Sequence, residues 1–372
     1  MNYSLMLDNG AVRDGRIISN DIALYLTVIL TLLMGVFSVP SIVINIINIF
    51  IFTSTGVKDS ITVCFLALAV ADLSAMVLAT AAALCAFFDA IRVTWSSSLK
   101  VYGFSIGAVY SLLSDISAAI TTYIALQRGI CVALPFAARR VFTRISSLRI
   151  ITTTVIFLLV CSLPRLLSFR LVTLNHPAMN VSKVLVIKFL NTWTFTDTFY
   201  LLFVKTGLAC LEHIVMVVCV VAIFVGMRSS RRLKHSASAW SKPEEHRNAT
   251  GQPGFPSDAG RRREGNGNQS KPRRKEEGKG KQLDTKEDVV IKQSLLIVLI
   301  HIVCTTPRVL VCLYRFFEPR FQIGELYEDM FYVVYMAINV LDSINAFLNF
   351  FVYIRLNSRF KVLFMSAFSK KA

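Results

Sequence analysis

The sequence predicts an all-α membrane protein, a seven-transmembrane helix bundle with its N-terminus outside and its C-terminus inside. Three observations predict it. Hydrophobic residues make up 54% of the 372-residue chain and mean hydropathy is +0.58, too apolar for a soluble domain of this size. The apolar residues gather into seven runs, each long enough to cross about 30 Å of hydrocarbon as a helix. The charged residues, 17% of the chain, collect between the runs, with Lys and Arg in excess on one side.

The runs are Ile22 to Phe52, Ile61 to Phe88, Tyr102 to Leu134, Leu148 to Phe169, Phe199 to Met227, Val289 to Phe317 and Met330 to Ile354. Lipid offers no hydrogen-bond partners, so a spanning segment must satisfy its own backbone; these runs are far longer than barrel strands and read as helices. Orientation follows from charge. Arg139, Arg140, Arg144 and Arg149 follow the third run, and residues 228–288 hold sixteen basic and nine acidic residues, a net +7. The tail adds Arg355, Arg359, Lys361, Lys370 and Lys371 on the same side, which the positive-inside rule makes cytoplasmic.

The chain thus divides into an extracellular segment 1–21, a membrane domain 22–354 and a cytoplasmic amphipathic helix and tail 355–372. Within the membrane domain, residues 228–288 form a third cytoplasmic loop. Its stretch from Ser241 to Lys281 is rich in Gly, Pro, Lys, Glu and Arg and nearly free of aliphatic residues, a composition that predicts disorder. It reads first as a solvated tether, with basic ends that suit anionic lipid. The first 21 residues carry no evident removable signal peptide, so the first helix directs its own insertion.

Other classes fare poorly. The net charge of +17 lies between apolar spans, where it sets orientation, and a nucleic-acid partner is not indicated. The eight cysteines fall in or at the ends of apolar segments without CxxC or Cys/His metal spacing, and read as packing residues. The five histidines are scattered, so a zinc hydrolase is disfavoured. Glu212 and His213 are adjacent, about 100° apart on a helix, with no nucleophile beside them; no catalytic site is indicated. No internal repeat supports a transporter, which stays, with a channel, the alternative of a different class.

Polar side chains at bilayer depth are costly and mark function. Asn45 lies in the first run, Asp72 in the second, Ser117 in the third, and Asn345, Asn349 and Tyr353 in the seventh at four-residue spacing, on one helical face. Arg128 stands at the inner end of the third run, eleven residues after Ser117 and on the same face. Alone, Arg128 reads as a snorkelling side chain at a helix end.

Together these motifs resemble the rhodopsin-like G-protein-coupled receptors over all seven spans. LAVAD containing Asp72 is similar to the second-helix LAxxD motif, QRG around Arg128 with Pro135 seven residues later to the DRY motif and its downstream proline, CTTP ending at Pro307 to CWxP, and NFFVY from Asn349 to Tyr353 to NPxxY. The resemblance implies a plasma-membrane receptor that binds a small-molecule or peptide ligand and activates a heterotrimeric G protein as the sixth helix swings outward. Arg128, Pro135, Pro307, Asn349 and Tyr353 take the coupling roles. It also implies a sodium site at Asp72, Ser117, Asn345 and Asn349; a hydrogen-bonded cluster with water and no metal is the other reading. Among such receptors the chain looks most like divergent chemosensory receptors of molluscs, and it also resembles invertebrate FMRFamide-type peptide receptors.

Departures from the family pattern are numerous. Gln127 and Gly129 flank Arg128 in place of an acid and an aromatic, removing the ion pair that restrains the inactive state and implying raised basal activity. Thr305 replaces the sixth-helix tryptophan, Phe350 the seventh-helix proline, and the fourth-helix tryptophan and fifth-helix proline are missing. Gly103 stands where the outer disulfide would begin, and the following loop has no cysteine, so packing must hold that loop or leave it mobile.

For the ligand, the seventh run has no lysine for a retinal Schiff base, which excludes photoreception, and Tyr110 stands where amine receptors place an aspartate, which argues against a biogenic amine. Arg165, Lys205, Arg308 and Arg315 form a basic mouth that would suit an anionic ligand, unless they pair internally with Asp115, Glu212 or Asp342. Asn2 and Asn180 are glycosylation sequons on the outer side, whereas Asn248 and Asn268 fall inside. Glycan mapping should find sugar on Asn180 and none on Asn248; the reverse pattern inverts the orientation.

Overall fold

The computed structural model describes residues 19–54, 56–91, 99–176, 181–240, 272–318, 320–321 and 325–369. Asn2 and Asn180 lie outside them. Ten α-helices and one hairpin are described: α1 (Asn20–Ser54), α2 (Ser60–Ala90), α3 (Leu99–Ala133), α4 (Pro135–Val141), α5 (Arg144–Leu167), β1 (Phe169–His176), β2 (Val181–Phe189), α6 (Trp193–Phe199), α7 (Ala209–Trp240), α8 (Pro272–Phe317), α9 (Glu328–Leu356) and α10 (Ser358–Ser369). A π-helical segment, Tyr200–Leu208, joins α6 to α7.

Seven of these stretches are long and apolar enough to cross a membrane: Asp21–Ser54, Ser60–Asp89, Val101–Ala133, Arg144–Leu167, Trp193–Ser229, Val289–Phe317 and Glu328–Leu356. They match the seven runs of the sequence to within a few residues at most ends. The bundle is apolar outside as well as inside, with Tyr25, Val36, Phe50, Val160, Phe224 and Val303 among its exposed side chains, as lipid contact requires.

Local chemistry fixes the helix ends. Asp59 caps α2 by accepting the Thr62 N–H at 2.7 Å, and Thr143 caps α5 by accepting the Ser146 N–H at 3.1 Å. Gly56, at φ +76°, supplies the left-handed turn between α1 and α2. Pro135 opens α4 at its first turn, where its missing N–H has no helical acceptor to lose.

Two features depart from the sequence expectation. Residues 228–240 and 272–288, placed by the sequence in the third cytoplasmic loop, continue α7 and α8 as helix. Extending an existing helix adds one hydrogen bond per residue with no new nucleus, and Pro272 is a favourable first residue. The loop between α5 and α6, for which no structure was expected, holds an antiparallel hairpin pairing Phe169 with Phe189 through Leu174 with Val184, irregular towards His176.

Rings secure that hairpin. Phe104, next to Gly103, sits 5.5 Å from Phe169, 6.1 Å from Phe189 and 6.2 Å from Trp193, and Phe189 lies 4.5 Å from Trp193, centroid to centroid. At about 0.5–1.5 kcal/mol per pair beyond burial, the cluster is comparable to the roughly 2–4 kcal/mol of a typical disulfide. The end of the third span is therefore tied to the loop by packing.

The spans meet in chain order, with α3 at the centre against α2, α5, α7 and α8, and α9 closing the ring against α1 and α8. Two glycines bring α3 and α7 close together. A Cβ on Gly129 would lie 3.2 Å from Cys219 Sγ, and one on Gly226 would collide with Val132. Gly129 thus has a packing reason to replace the family's aromatic residue.

Candidate functional site

The candidate site is a column of polar side chains running through the bundle from the hairpin end to the α10 end. At its middle, Asp72 of α2 accepts hydrogen bonds from Ser117 of α3 at 2.6 Å and Asn349 of α9 at 3.0 Å. All three are buried. Asn345, one turn from Asn349, turns instead towards α8, its Nδ2 3.4 Å from His301 Nδ1. The amide oxygens of Asn345 and Asn349 and the His301 Nε2 are buried without a hydrogen-bond partner among the described residues.

Asn45 does not join this cluster among the described hydrogen bonds. Its amide donates to Ser41 O at 3.0 Å and Ser41 Oγ at 3.2 Å, and it accepts from Asn48 at 3.2 Å, all within α1. Tyr353 is buried at the α10 end, its ring 5.2 Å from Phe52, 5.3 Å from Phe65 and 5.8 Å from Phe360. This aromatic knot ties α1, α2, α9 and α10 together.

Around Arg128, which is half-buried, the neighbouring Gln127 has found neutral partners. Its amide donates to Ser60 Oγ at 2.5 Å, and its oxygen lies 3.6 Å from Cys64 Sγ. Ser60 in turn bonds Ser147, which also meets Tyr123 Oη at 2.9 Å. The substitution of an acid by glutamine is therefore absorbed into a network joining α2, α3 and α5. Pro135 begins α4 just beyond, and Pro307 lies within α8, where it removes one backbone hydrogen bond.

Towards the hairpin end, the basic residues identified in the sequence are brought together and paired. Lys205 Nζ meets Asp115 Oδ1 at 2.5 Å and also reaches Ser111 O at 3.3 Å. Arg308 pairs with Asp342 and donates to Ser114 Oγ at 2.7 Å, while Tyr110 donates to the same Asp342 carboxylate at 2.7 Å. Arg165 and Arg315 share Asp197 at 2.8 and 2.9 Å, and Arg165 lies over the rings of Tyr200 and Trp193 at 4.9 and 5.4 Å. The π-helical segment carries both Tyr200 and Lys205 to Asp115, Tyr200 donating at 2.8 Å.

Asp115 and Asp342 were identified from the sequence as partners; Asp197, the acid that holds two arginines, was not. Its signal is faint, a lone acid at the edge of the fifth apolar run. The sequence reading also assigned no role to His213, whose Nδ1 donates to Ala209 O at 3.1 Å and whose Nε2 lies 3.1 Å from the Thr305 hydroxyl on α8. Thr305 also lies 2.7 Å from His301 O. It thus links the fifth and sixth spans where the family places tryptophan.

A family model described as the 7 transmembrane receptor (rhodopsin family) matches residues 44–353. No curated protein matches the chain. The match covers well over half of the sequence, and the chain belongs to the rhodopsin family of seven-transmembrane receptors. It is a G-protein-coupled receptor rather than an enzyme, a multi-pass protein of the plasma membrane that works with a ligand and a heterotrimeric G protein.

Breaking one partner of a buried ion pair costs about 3–5 kcal/mol, whereas replacing both with apolar residues is nearly neutral. Thermal unfolding of the purified receptor in lipid nanodiscs should show a large loss for Arg308→Met or Asp342→Leu alone and recovery in the double variant. Additive losses would contradict the pairing.

Proposed function

We propose that this receptor senses an extracellular chemical, as a chemosensory receptor does, with the hairpin end outside and the α10 end facing the G protein. The observation that carries the receptor mechanism is the alignment of Asp72, Ser117 and Asn349 in one buried cluster, with Arg128 three turns along α3. Ligand bound at the hairpin end would act on α8, which is tied to α3 and α9 by Arg308 and to α6 by Arg315. Pro307, one residue from Arg308, supplies the flexible point about which the inner half of α8 swings outward. That movement opens the α10 end around Arg128 for the G protein. The lipid-facing apolar surface and the basic tail suit an anionic inner leaflet.

A sodium ion at the buried cluster is part of the proposal, supported by its oxygen donors. Asp72 and Ser117 offer hard oxygen ligands, and the amide oxygens of Asn345 and Asn349 are acceptors left without partners. A bound cation would neutralise the Asp72 carboxylate and hold α2, α3 and α9 together in the resting receptor. At the α10 end, the neutral Gln127 network places no acid next to Arg128 in the chain, which supports a raised basal activity.

Two variants test the reading in cells that report G-protein activation. Arg128→Ala should abolish both basal and stimulated activity with surface expression retained. Gln127→Glu, which restores an acid beside Arg128, should lower basal activity. Full activity of Arg128→Ala would remove that residue from the coupling role, and substrate flux or current in cells lacking G proteins would favour a transporter or channel. A response to a peptide and to no external chemical would shift the reading to a neuropeptide receptor.

A further inference from the structure

Many buried polar side chains of this bundle bond to something nearby. On α8 the Thr305 and Thr306 hydroxyls turn back onto His301 O at 2.7 Å and Ile302 O at 2.6 Å, and on α9 the Ser343 hydroxyl turns back onto Asn339 O at 2.9 Å. Two neighbours on the inner half of α8 behave differently. Gln293 and Ser294 are 1% and 0% exposed, yet the Gln293 Nε2 and the Ser294 Oγ have no hydrogen-bond partner among the described residues. The orphaned hydroxyls of Thr31, Ser162 and Thr206 stand singly, on the first, fourth and fifth spans; here two orphans adjoin on the sixth.

The surroundings of the two residues are apolar. One turn further along α8 stand Ile297 and Val298, 1% and 0% exposed. Val298 packs in a cluster with Ala125 of α3 and with Met216 and Cys219 of α7. Ile297 belongs to the central cluster, which includes Tyr123 and Ile124 of α3 and Phe350 and Tyr353 of α9. Residues four apart share a helical face, so Gln293 continues the face of Ile297 and Ser294 that of Val298 towards the α10 end. A polar atom buried there without a partner has lost its water and gained nothing in exchange.

Both residues lie on the part of α8 that moves when the helix bends at Pro307. They precede that proline by fourteen and thirteen residues, about 20 Å along the helix. A swing outward about Pro307 draws their faces away from α3, α7 and α9 and lets water reach them. The desolvation penalty therefore exists in one position of the helix and is relieved in the other, and a penalty confined to one of two states shifts the balance between them.

We propose that Gln293 and Ser294 are positioning residues that bias α8 towards its open position, destabilising the closed packing against α3, α7 and α9 and regaining hydrogen bonds once the inner half of the helix swings out. The inference rests on the receptor reading above and on its movement of α8. It is separate from the effect of Gln127, whose described bonds join α2, α3 and α5 and act on α3, whereas Gln293 and Ser294 act on α8 itself.

The test replaces each residue by an apolar one of similar size, Gln293→Met and Ser294→Ala, singly and together, in the full-length receptor in lipid nanodiscs without ligand. Three quantities are followed: the unfolding midpoint, nucleotide exchange on a heterotrimeric G protein, and the distance between nitroxides carried on non-natural side chains at Ala133 of α3 and Leu296 of α8, both exposed. In the double variant the midpoint should rise, and the long-distance population and the exchange rate should each fall about tenfold, equivalent to about 1.4 kcal/mol. If the double variant does not fold, the single variants should show the same changes at smaller size. A higher midpoint with unchanged distances gives the residues a purely structural role and overturns the proposal, as does a lower midpoint in both single variants. A fall in the long-distance population with no exchange even in the wild type leaves the bias standing and removes the coupling reading.

Discussion

A charge inside a bilayer must be met by another group of the same bundle, because neither lipid nor bulk water solvates it there. That constraint organises the interior of this receptor. Lys205 with Asp115 and Arg308 with Asp342 each join different spans, and Asp197 gathers arginines from the fourth and the sixth. Since these helices are as apolar outside as lipid tails, polar bridges and close packing, rather than hydrophobic burial, decide which faces meet. The glycine contacts at Gly129 and Gly226 supply the close packing on the α10 side.

Such pairs contribute less to net stability than to arrangement. An ion pair taken out of water loses in desolvation much of what it gains in attraction, so its effect is to penalise any arrangement that separates the partners. The sixth span is held in this way by two arginines, Arg308 and Arg315, at its hairpin end. At the α10 end the described bonds around Gln127 are neutral and join α2, α3 and α5, leaving α8 outside them. Among the described residues, the ion pairs that hold the sixth span lie at its hairpin end.

The seven spans were legible because length and apolarity alone define them, and the Asp72, Ser117 and Asn349 cluster because its members stand at motif spacings on their helices. The partners of the basic residues were legible only in part. Asp115 and Asp342 lie well inside apolar runs and call for a cation, whereas Asp197 lies at the edge of one and looks like an ordinary loop acid. Asn345 followed the helical period to the right face yet turned to His301, because the choice between two neighbours four residues apart depends on side-chain geometry that spacing does not encode. The hairpin was hidden for a similar reason: its strands pair with each other, and the Phe104 cluster that holds them draws on residues from separate segments.

The central proposal is that this receptor, with Gln127 standing where the family has an acid before Arg128, couples to a G protein without ligand. The most direct measurement is nucleotide exchange on purified heterotrimers of the main G-protein classes, mixed with the wild-type receptor in lipid nanodiscs without ligand. The account predicts exchange faster than the spontaneous rate for at least one heterotrimer. Exchange at the spontaneous rate for all of them, with receptor that unfolds cooperatively on heating and is therefore intact, would contradict it.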